Sequence, residues 1–386
     1  MGIQEPSEVL SALASRNRVE GLTHKFYRYP ARFNPEFVRA AIREWTLPGD
    51  TVLDPFMGGG TTIVEALAEG RIVAGVDINP VACLVARVKT TPLSAADQAA
   101  IMEWSRSTRF LTNPAVMEST DSRLSNAPAE LLAGLAPMVT TASGLRFIRR
   151  SQFARCAILQ LAQWALESRT TPCDPSTLAC RLVASVEAML KGVDELVAAA
   201  ARNGNTKRAI TRRRTVYQGD VTAACSDAVF VQRCVKPRLV LTSPPYPGVH
   251  VLYHRLQVRG RRETAVPFWI AGLEDGHGPS YYTLGGRSGT GVERYYLKLS
   301  RAFGAVRQIV HPEGVVVQLV GFSDRETQLP RYLEAMEAAG FVQERSQGWW
   351  PADGVVRTVP NRRWYTQARD ARYQSEEILL VHRPLG

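Results

Sequence analysis

Short apolar runs that end in a polar residue or a glycine alternate with stretches of helical spacing, over residues 51–92 and again from 215 onward. Thr51–Leu53 predicts a strand, Thr61–Glu69 a helix, Arg71–Val76 a second strand ending at Asp77, and Asn79–Val88 a helix closed by Thr90-Thr-Pro92. Residues 1–50 read as a short helical lead, an irregular Tyr/Pro/Arg segment and a helix from Pro35 to Trp45. Thr215–Asp220 and Pro237–Thr242 restore the strand signal. A helix follows at Val292–Ile309, a buried strand at Val315–Val320, a helix at Leu329–Ala339 stopped by Gly340, and a last strand at Glu377–His382. Strands separated by helices predict a mostly parallel sheet with helices on its faces.

The stretch from Pro92 to Arg214 breaks this alternation and carries no convincing strand. Residues 153–166 are apolar nearly all round, and residues 178–197 set Leu182, Val186, Met189, Val193 and Leu196 on one face. The segment reads as a helical insertion between the second and third strands. Residues 248–291 mix glycine, aromatic and basic residues without clear periodicity, and irregular chain of that length inside a compact domain is functional or disordered.

With 386 residues, 45% hydrophobic and 22% charged, the chain suits one large or two moderate soluble domains. The longest apolar runs, such as Gly314–Val320, are too short to span a bilayer. Glu5 and Glu8 stand where a signal peptide would be basic, so a cytoplasmic location is expected. Six cysteines are scattered without a Cys-x-x-Cys pair, which suggests neither a zinc site nor a redox couple. The net charge of +11 points to a polyanionic partner. It is clustered: four arginines from Arg146 to Arg155, five basic residues from Lys207 to Arg214, and four arginines from Arg255 to Arg262. For any one cluster, a solvated basic face is the competing reading.

Asp54-Pro-Phe-Met-Gly-Gly-Gly-Thr-Thr62 joins a strand end to a helix start through a glycine turn. Such a turn lets backbone approach a ligand and offers unpaired N–H groups. A pyrophosphate-binding turn reads Gly-x-Gly-x-x-Gly, whereas Asp54 would repel a phosphate and suits an ammonium group. Asp77 ends the next strand, where it can accept hydrogen bonds from ribose hydroxyls, and Gly219-Asp220 follows a later strand, where it can bound an adenine.

Together with Ser243-Pro-Pro-Tyr246, these motifs resemble those of bacterial S-adenosylmethionine-dependent DNA amino-methyltransferases. The glycine turn is similar to their Asp-Pro-Phe-x-Gly-x-Gly-Thr-Thr motif, departing from it by a third glycine. Tyr29-Pro-Ala-Arg-Phe33, preceded by His24 and followed by Pro35, is similar to the segment that closes over the cofactor, and Asp77-Ile-Asn-Pro80 also fits. The tetrapeptide resembles the catalytic one, whose Ser form is common in cytosine-N4 enzymes; adenine-N6 enzymes more often carry Asp or Asn. The resemblance implies a doubly wound, mostly parallel, seven-stranded Rossmann-like methyltransferase sheet with a helical insertion. It implies S-adenosylmethionine held by Tyr29, Pro30, Asp54, Pro55, Phe56, Gly58, Gly60, Thr61, Thr62, Asp77, Ile78, Asn79 and Asp220, and catalysis by Ser243, Pro244, Pro245 and Tyr246. The insertion matches nothing in the family residue by residue.

The chemistry accounts for the tetrapeptide. A base amino group is a poor nucleophile because its lone pair is delocalised into the ring. Accepting hydrogen bonds from both amino protons, through the Ser243 side chain and the Pro244 carbonyl, favours a pyramidal nitrogen with its lone pair aimed at the methyl donor. Pro244 and Pro245 stiffen the loop and remove donors of the wrong polarity, and Tyr246 offers a stacking face for an extruded base. Arg212, Arg213, Arg214, His250, Tyr253, Arg255, Arg259, Arg261 and Arg262 are the expected DNA contacts. Trp349-Trp350 and Arg362-Arg-Trp-Tyr365 fit either DNA contact or core packing. His250, His254 and His277 lack regular ligand spacing, and no metal is expected.

The expected layout is a cofactor part over 1–92, the insertion over 93–214 and a catalytic part over 215–386. The expected reaction is cytosine-N4 methylation of double-stranded DNA after base flipping, in a restriction or defence setting with a cognate restriction endonuclease. Adenine-N6 methylation, RNA base methylation and a catalytically silent DNA-binding subunit are the alternatives.

Overall fold

Adjacent residues of one strand, Val52 and Leu53, are fully buried in two different cores, and this alternation sets the layers of the molecule. The structure is a computed structural model that describes residues 7–28, 33–108, 121–167, 173–247, 256–258, 262–276, 282–286, 289–344, 354–359 and 375–386. Its central sheet runs β3 (Arg214–Gln218), β2 (Ile72–Asp77), β1 (Thr51–Asp54), β4 (Leu239–Thr242) and β7 (Val315–Gly321), all parallel. The long β10 (Ser375–Pro384) is antiparallel to β7. Its other edge is covered by β9 (Val355–Val359) along its first half and by β8 (Phe341–Gln343) along its second. The sheet therefore has eight strands rather than the expected seven, with β9 off the main path.

One face is covered by α1 (Ser7–Ala14), α2 (Pro35–Trp45) and α3 (Thr61–Ala68), the other by α10 (Val221–Ser226), α11 (Ala228–Arg233), α13 (Thr290–Ile309) and α14 (Arg325–Ala338). Helices on both faces of a mainly parallel sheet make this the doubly wound α/β class that the strand–helix alternation predicts. Gly75 shows how tightly the glycine turn seats on the sheet: a Cβ there would lie 2.6 Å from Met57 Sδ and from Ile63 Cδ1.

The described residues between α4 (Pro80–Lys89) and β3 are helical apart from turns: α5 (Ala95–Ser107), α6 (Ala129–Ser143), α7 (Ile148–Glu167), α8 (Pro175–Arg202) and α9 (Lys207–Arg212). Helices α5 to α8 build a separate hydrophobic core with one face of α4, whereas Ile210 of α9 packs with the sheet. The chain after the tetrapeptide contributes to this core too. The hairpin β5 (Leu256–Val258) and β6 (Arg262–Thr264), with α12 (Val266–Ala271), buries Leu256, Val266, Phe268 and Ile270 in it. Elements of three and six residues are too short to show periodicity, so this region looked irregular in the sequence.

Two of the expected DNA contacts, Arg213 and Arg214, are engaged within the protein. Arg214 donates to the Arg87 carbonyl and to the Thr90 and Thr91 hydroxyls, tying β3 to the end of α4, and burial pushes its guanidinium down to about 10. Arg213 caps α9 and donates to the Gly70 carbonyl at 2.8 Å. A run of three arginines looks like a charged face in sequence, but Arg212 ends α9, Arg213 caps it and Arg214 opens β3, so the three side chains diverge where helix gives way to strand. Arg212 alone of the three is exposed.

Candidate active site

β1, β2 and β4 end at the same edge of the sheet, so Asp54, Asp77 and Ser243 converge there. The chain order reverses between β1 and β4, the position where open α/β sheets leave a crevice. Two direct bonds hold the wall together. Thr242 Oγ1 donates to Asp54 Oδ1 at 2.8 Å, joining the glycine-turn motif to the residue before Ser243. Asp54 Oδ1 also accepts the Phe56 N–H at 3.2 Å.

The turn itself is built for close approach. Gly58 (φ +47°) and Gly60 (φ +75°) adopt backbone that disfavours side chains. A Cβ on Gly60 would meet Ala86 Cβ at 3.0 Å, so that glycine serves packing of α3 on α4; around Gly58 the space is open. The Gly58 N–H donates to Asp77 Oδ2 at 2.9 Å and the Asn79 N–H to Asp77 Oδ1 at 2.8 Å, which fixes the plane of that carboxylate. The buried Lys89 holds the turn from below, its Nζ 2.7 Å from the Gly59 carbonyl.

Both carboxylates are short of compensation. Burial raises Asp54 from its ordinary value of 3.8 to about 6, against the lowering pull of the bonds from Thr242 and Phe56. Burial likewise raises Asp77 to about 6, opposed by the Asn79 and Gly58 amides. Acids held this way at the edge of a sheet are primed for a ligand that brings positive charge or hydroxyl donors. The cofactor implied by the motifs has both, as an ammonium and a ribose, and a Cβ at Gly58 would meet nothing within 4 Å.

The tetrapeptide is held from two sides. Tyr295, 1% exposed on α13, donates from its hydroxyl to the Pro245 carbonyl at 2.8 Å. The Pro244 carbonyl has no hydrogen-bond partner among the described residues. Tyr246 is 6% exposed, packed in the core with Tyr295 and Tyr296. Its hydroxyl accepts from Ser243 Oγ at 3.1 Å and donates to Glu377 Oε1 at 2.9 Å. The sequence reading gave Tyr246 a stacking ring alone; the structure gives its hydroxyl two partners and leaves little of the ring open.

Among the other expected residues, Pro55, Thr61 and Thr62 are buried, whereas Phe56 and Ile78 are half-buried at this edge. The Asn79 side chain caps α4 by accepting from the Val81 N–H, and Asp220 caps α10 by accepting from Thr222. Asp220 still lies near Asp77, because the adjoining Gly219 N–H donates to the Asp77 carbonyl. Tyr29, Pro30, His250, Tyr253, Arg255, Arg259 and Arg261 lie outside the described residues, as do His254, His277, Trp349-Trp350 and Arg362–Tyr365; Arg262 opens β6.

Several residues at the site had no sequence signal: Lys89, Tyr295 and Glu377. Gln163 of α7 is another. It accepts from the Arg28 N–H at 2.9 Å and donates to the Arg28 carbonyl at 2.8 Å. His24 Nε2 lies 2.6 Å from the buried Glu65 of α3, so the chain leading into Tyr29 is anchored on both α3 and the insertion.

Residues 5–87 match the N6/N4 methyltransferase family model, described as DNA methylase. Type II methyltransferase M.MvaI of Kocuria varians is 43% identical over 75 residues, 19% of this chain and 16% of that protein. Type II methyltransferase M.MjaII of Methanocaldococcus jannaschii is 39% identical over 66 residues, 17% of this chain and 12% of that protein. The chain thus spans less than a fifth of the length of these curated relatives. Among solved structures, TrmN from Thermus thermophilus overlaps 92% of this chain and 50% of its own at 12% identity and a TM-score of 0.34. The matched segment is thus similar to DNA amino-methyltransferases, N4 or N6, whose methyl donor is S-adenosylmethionine.

Proposed function

We propose that this chain methylates the exocyclic N4 amino group of cytosine in double-stranded DNA, at a short sequence and on a base turned out of the helix. The observation that carries this reading is the Asp54–Thr242 hydrogen bond, which sets the glycine-turn motif and the tetrapeptide on one wall. S-adenosylmethionine, when bound, supplies an electrophilic methyl group on a sulfonium. Asp77, held in plane by the Gly58 and Asn79 amides, would accept hydrogen bonds from the cofactor's ribose hydroxyls, and Asp54 would pair with its ammonium. Ser243 Oγ and the Pro244 carbonyl accept hydrogen bonds from the two N–H groups of the base amino group, which loses one proton to solvent as its nitrogen takes the methyl group. Positioning and fixed electrostatics then provide most of the acceleration.

Serine at position 243 supports cytosine over adenine. The transferase comprises residues 1–92 and 215–386, and the insertion 93–214 carries DNA contacts together with the β5–β6 hairpin packed on it. Arg212, His250, Tyr253, Arg255, Arg259, Arg261 and Arg262 are the proposed contacts. A cognate restriction endonuclease as partner and a cytoplasmic location belong to this reading. Among the described residues no helix is long and apolar enough to cross a membrane.

Nucleoside mass spectrometry of DNA from cells expressing the protein tests the reading. N4-methylcytosine at one sequence context is expected. N6-methyladenine would reassign the base, methylated RNA alone would reassign the substrate, and cofactor binding without any methylation would make the chain a silent subunit.

A further inference from the structure

We infer that Glu377 is a positioning residue that sets the hydrogen-bond polarity of Ser243 through Tyr246. The inference rests on the proposed role of Ser243 as acceptor of an amino proton. A serine hydroxyl is ambivalent, since it can donate or accept. A hydroxyl that pointed its proton at the amino group would oppose the reaction, so something must turn that proton away.

The geometry supplies the device. Glu377 is 2% exposed on β10, among apolar strand residues, where an isolated carboxylate is unfavourable. Its cross-strand neighbour Arg357 on β9 places a guanidinium 3.9 Å from Oε2. As a carboxylate, Glu377 only accepts. The Tyr246 hydroxyl, 2.9 Å from Oε1, must therefore donate to it. Its proton being committed, the Tyr246 oxygen can only accept from Ser243 Oγ, 3.1 Å away. The Ser243 proton is then directed into the protein, and its lone pairs face the crevice. β10 runs antiparallel and pairs Glu377 with Gly321 at the end of β7, which brings the carboxylate to the same sheet edge as Asp54 and Ser243. An aspartate at position 243 would need no such director, because it cannot donate.

The test is a double-mutant cycle of Glu377→Gln and Tyr246→Phe, read as turnover, KM for DNA and cofactor affinity. The amide introduced by Glu377→Gln keeps the shape of the side chain but can donate to Tyr246. We expect each single variant to lower kcat at least tenfold, with KM and cofactor affinity within twofold, and the double variant to be no worse than Tyr246→Phe by more than twofold. Wild-type turnover in Glu377→Gln, a loss confined to KM, or losses that multiply would overturn the inference. Should Glu377→Gln not fold, Tyr246→Phe decides alone, since wild-type turnover without the hydroxyl refutes the chain. A second readout needs no activity: the Cζ resonance of Tyr246, identified by its disappearance in Tyr246→Phe, should move in both Ser243→Ala and Glu377→Gln. A wild-type protein that methylates no nucleic acid overturns the functional reading and the inference built on it, whereas an unmoved resonance overturns the hydrogen-bond chain by itself.

Discussion

Asp54→Asn should stabilise the cofactor-free protein while removing cofactor binding. Asp54 is 2% exposed, and its pKa in the folded chain is raised from 3.8 to about 6. A folded-state value above the unfolded one means stability is lost as pH rises between the two. At 1.36 kcal/mol per pH unit, the ionised side chain destabilises the folded state by about 3 kcal/mol once the pH exceeds 6. Asparagine removes this term and can still accept from Phe56 and Thr242 through its oxygen. With an unfolding entropy of about 2.1 cal/mol/K per residue, 3 kcal/mol over 386 residues raises Tm by about 4 °C. Scanning calorimetry of the two proteins without cofactor should show the gap opening from pH 4 to pH 6 and constant above that. Titration with S-adenosylmethionine should show binding to wild type only. A variant less stable than wild type at pH 7.5, or a gap independent of pH, would refute the view that Asp54 is held short of compensation for a ligand.

Asp77→Ala should weaken S-adenosylmethionine binding about 10- to 100-fold in calorimetry and leave DNA affinity nearly unchanged. In wild type, cofactor affinity should fall as the pH drops through about 6, where Asp77 gains a proton and loses acceptor capacity. Arg214→Ala should destabilise the protein by roughly 1.5–3 kcal/mol in denaturant titration, because α4 carbonyl and hydroxyl partners lose a charged donor, without altering the salt dependence of DNA binding. The exposed Arg212 is the opposite case: Arg212→Glu should flatten the slope of log affinity against log salt by about 0.9 at little change in stability, and an unchanged slope would make it an ordinary surface charge. Tyr246→Phe should be nearly as damaging to turnover as Tyr246→Ala, since the hydroxyl is the engaged group; full tolerance of Phe would restore the ring as the active part.

The local grammar of this chain was legible because it is made by near neighbours. The strand at Val52 and Leu53, the glycine turn and the helix after it are specified within a dozen residues by apolar alternation, positive-φ glycines and a helix start. The same held for the helix start at Asn79-Pro80, and for Ser243-Pro-Pro-Tyr246 after an apolar run. Side-chain direction was less accessible. Arg212, Arg213 and Arg214 read as one basic patch, yet two of them turn inward, and the short hairpin after the tetrapeptide packs on helices that precede it in the chain. Partners distant in sequence were invisible. Thr242 reaches Asp54 across 188 residues and Glu377 reaches Tyr246 across 131, and neither pairing leaves a spacing to read. Only the order and register of the sheet bring β1, β4, β7 and the antiparallel β10 to one edge, where a buried carboxylate can act on a hydroxyl supplied by another strand.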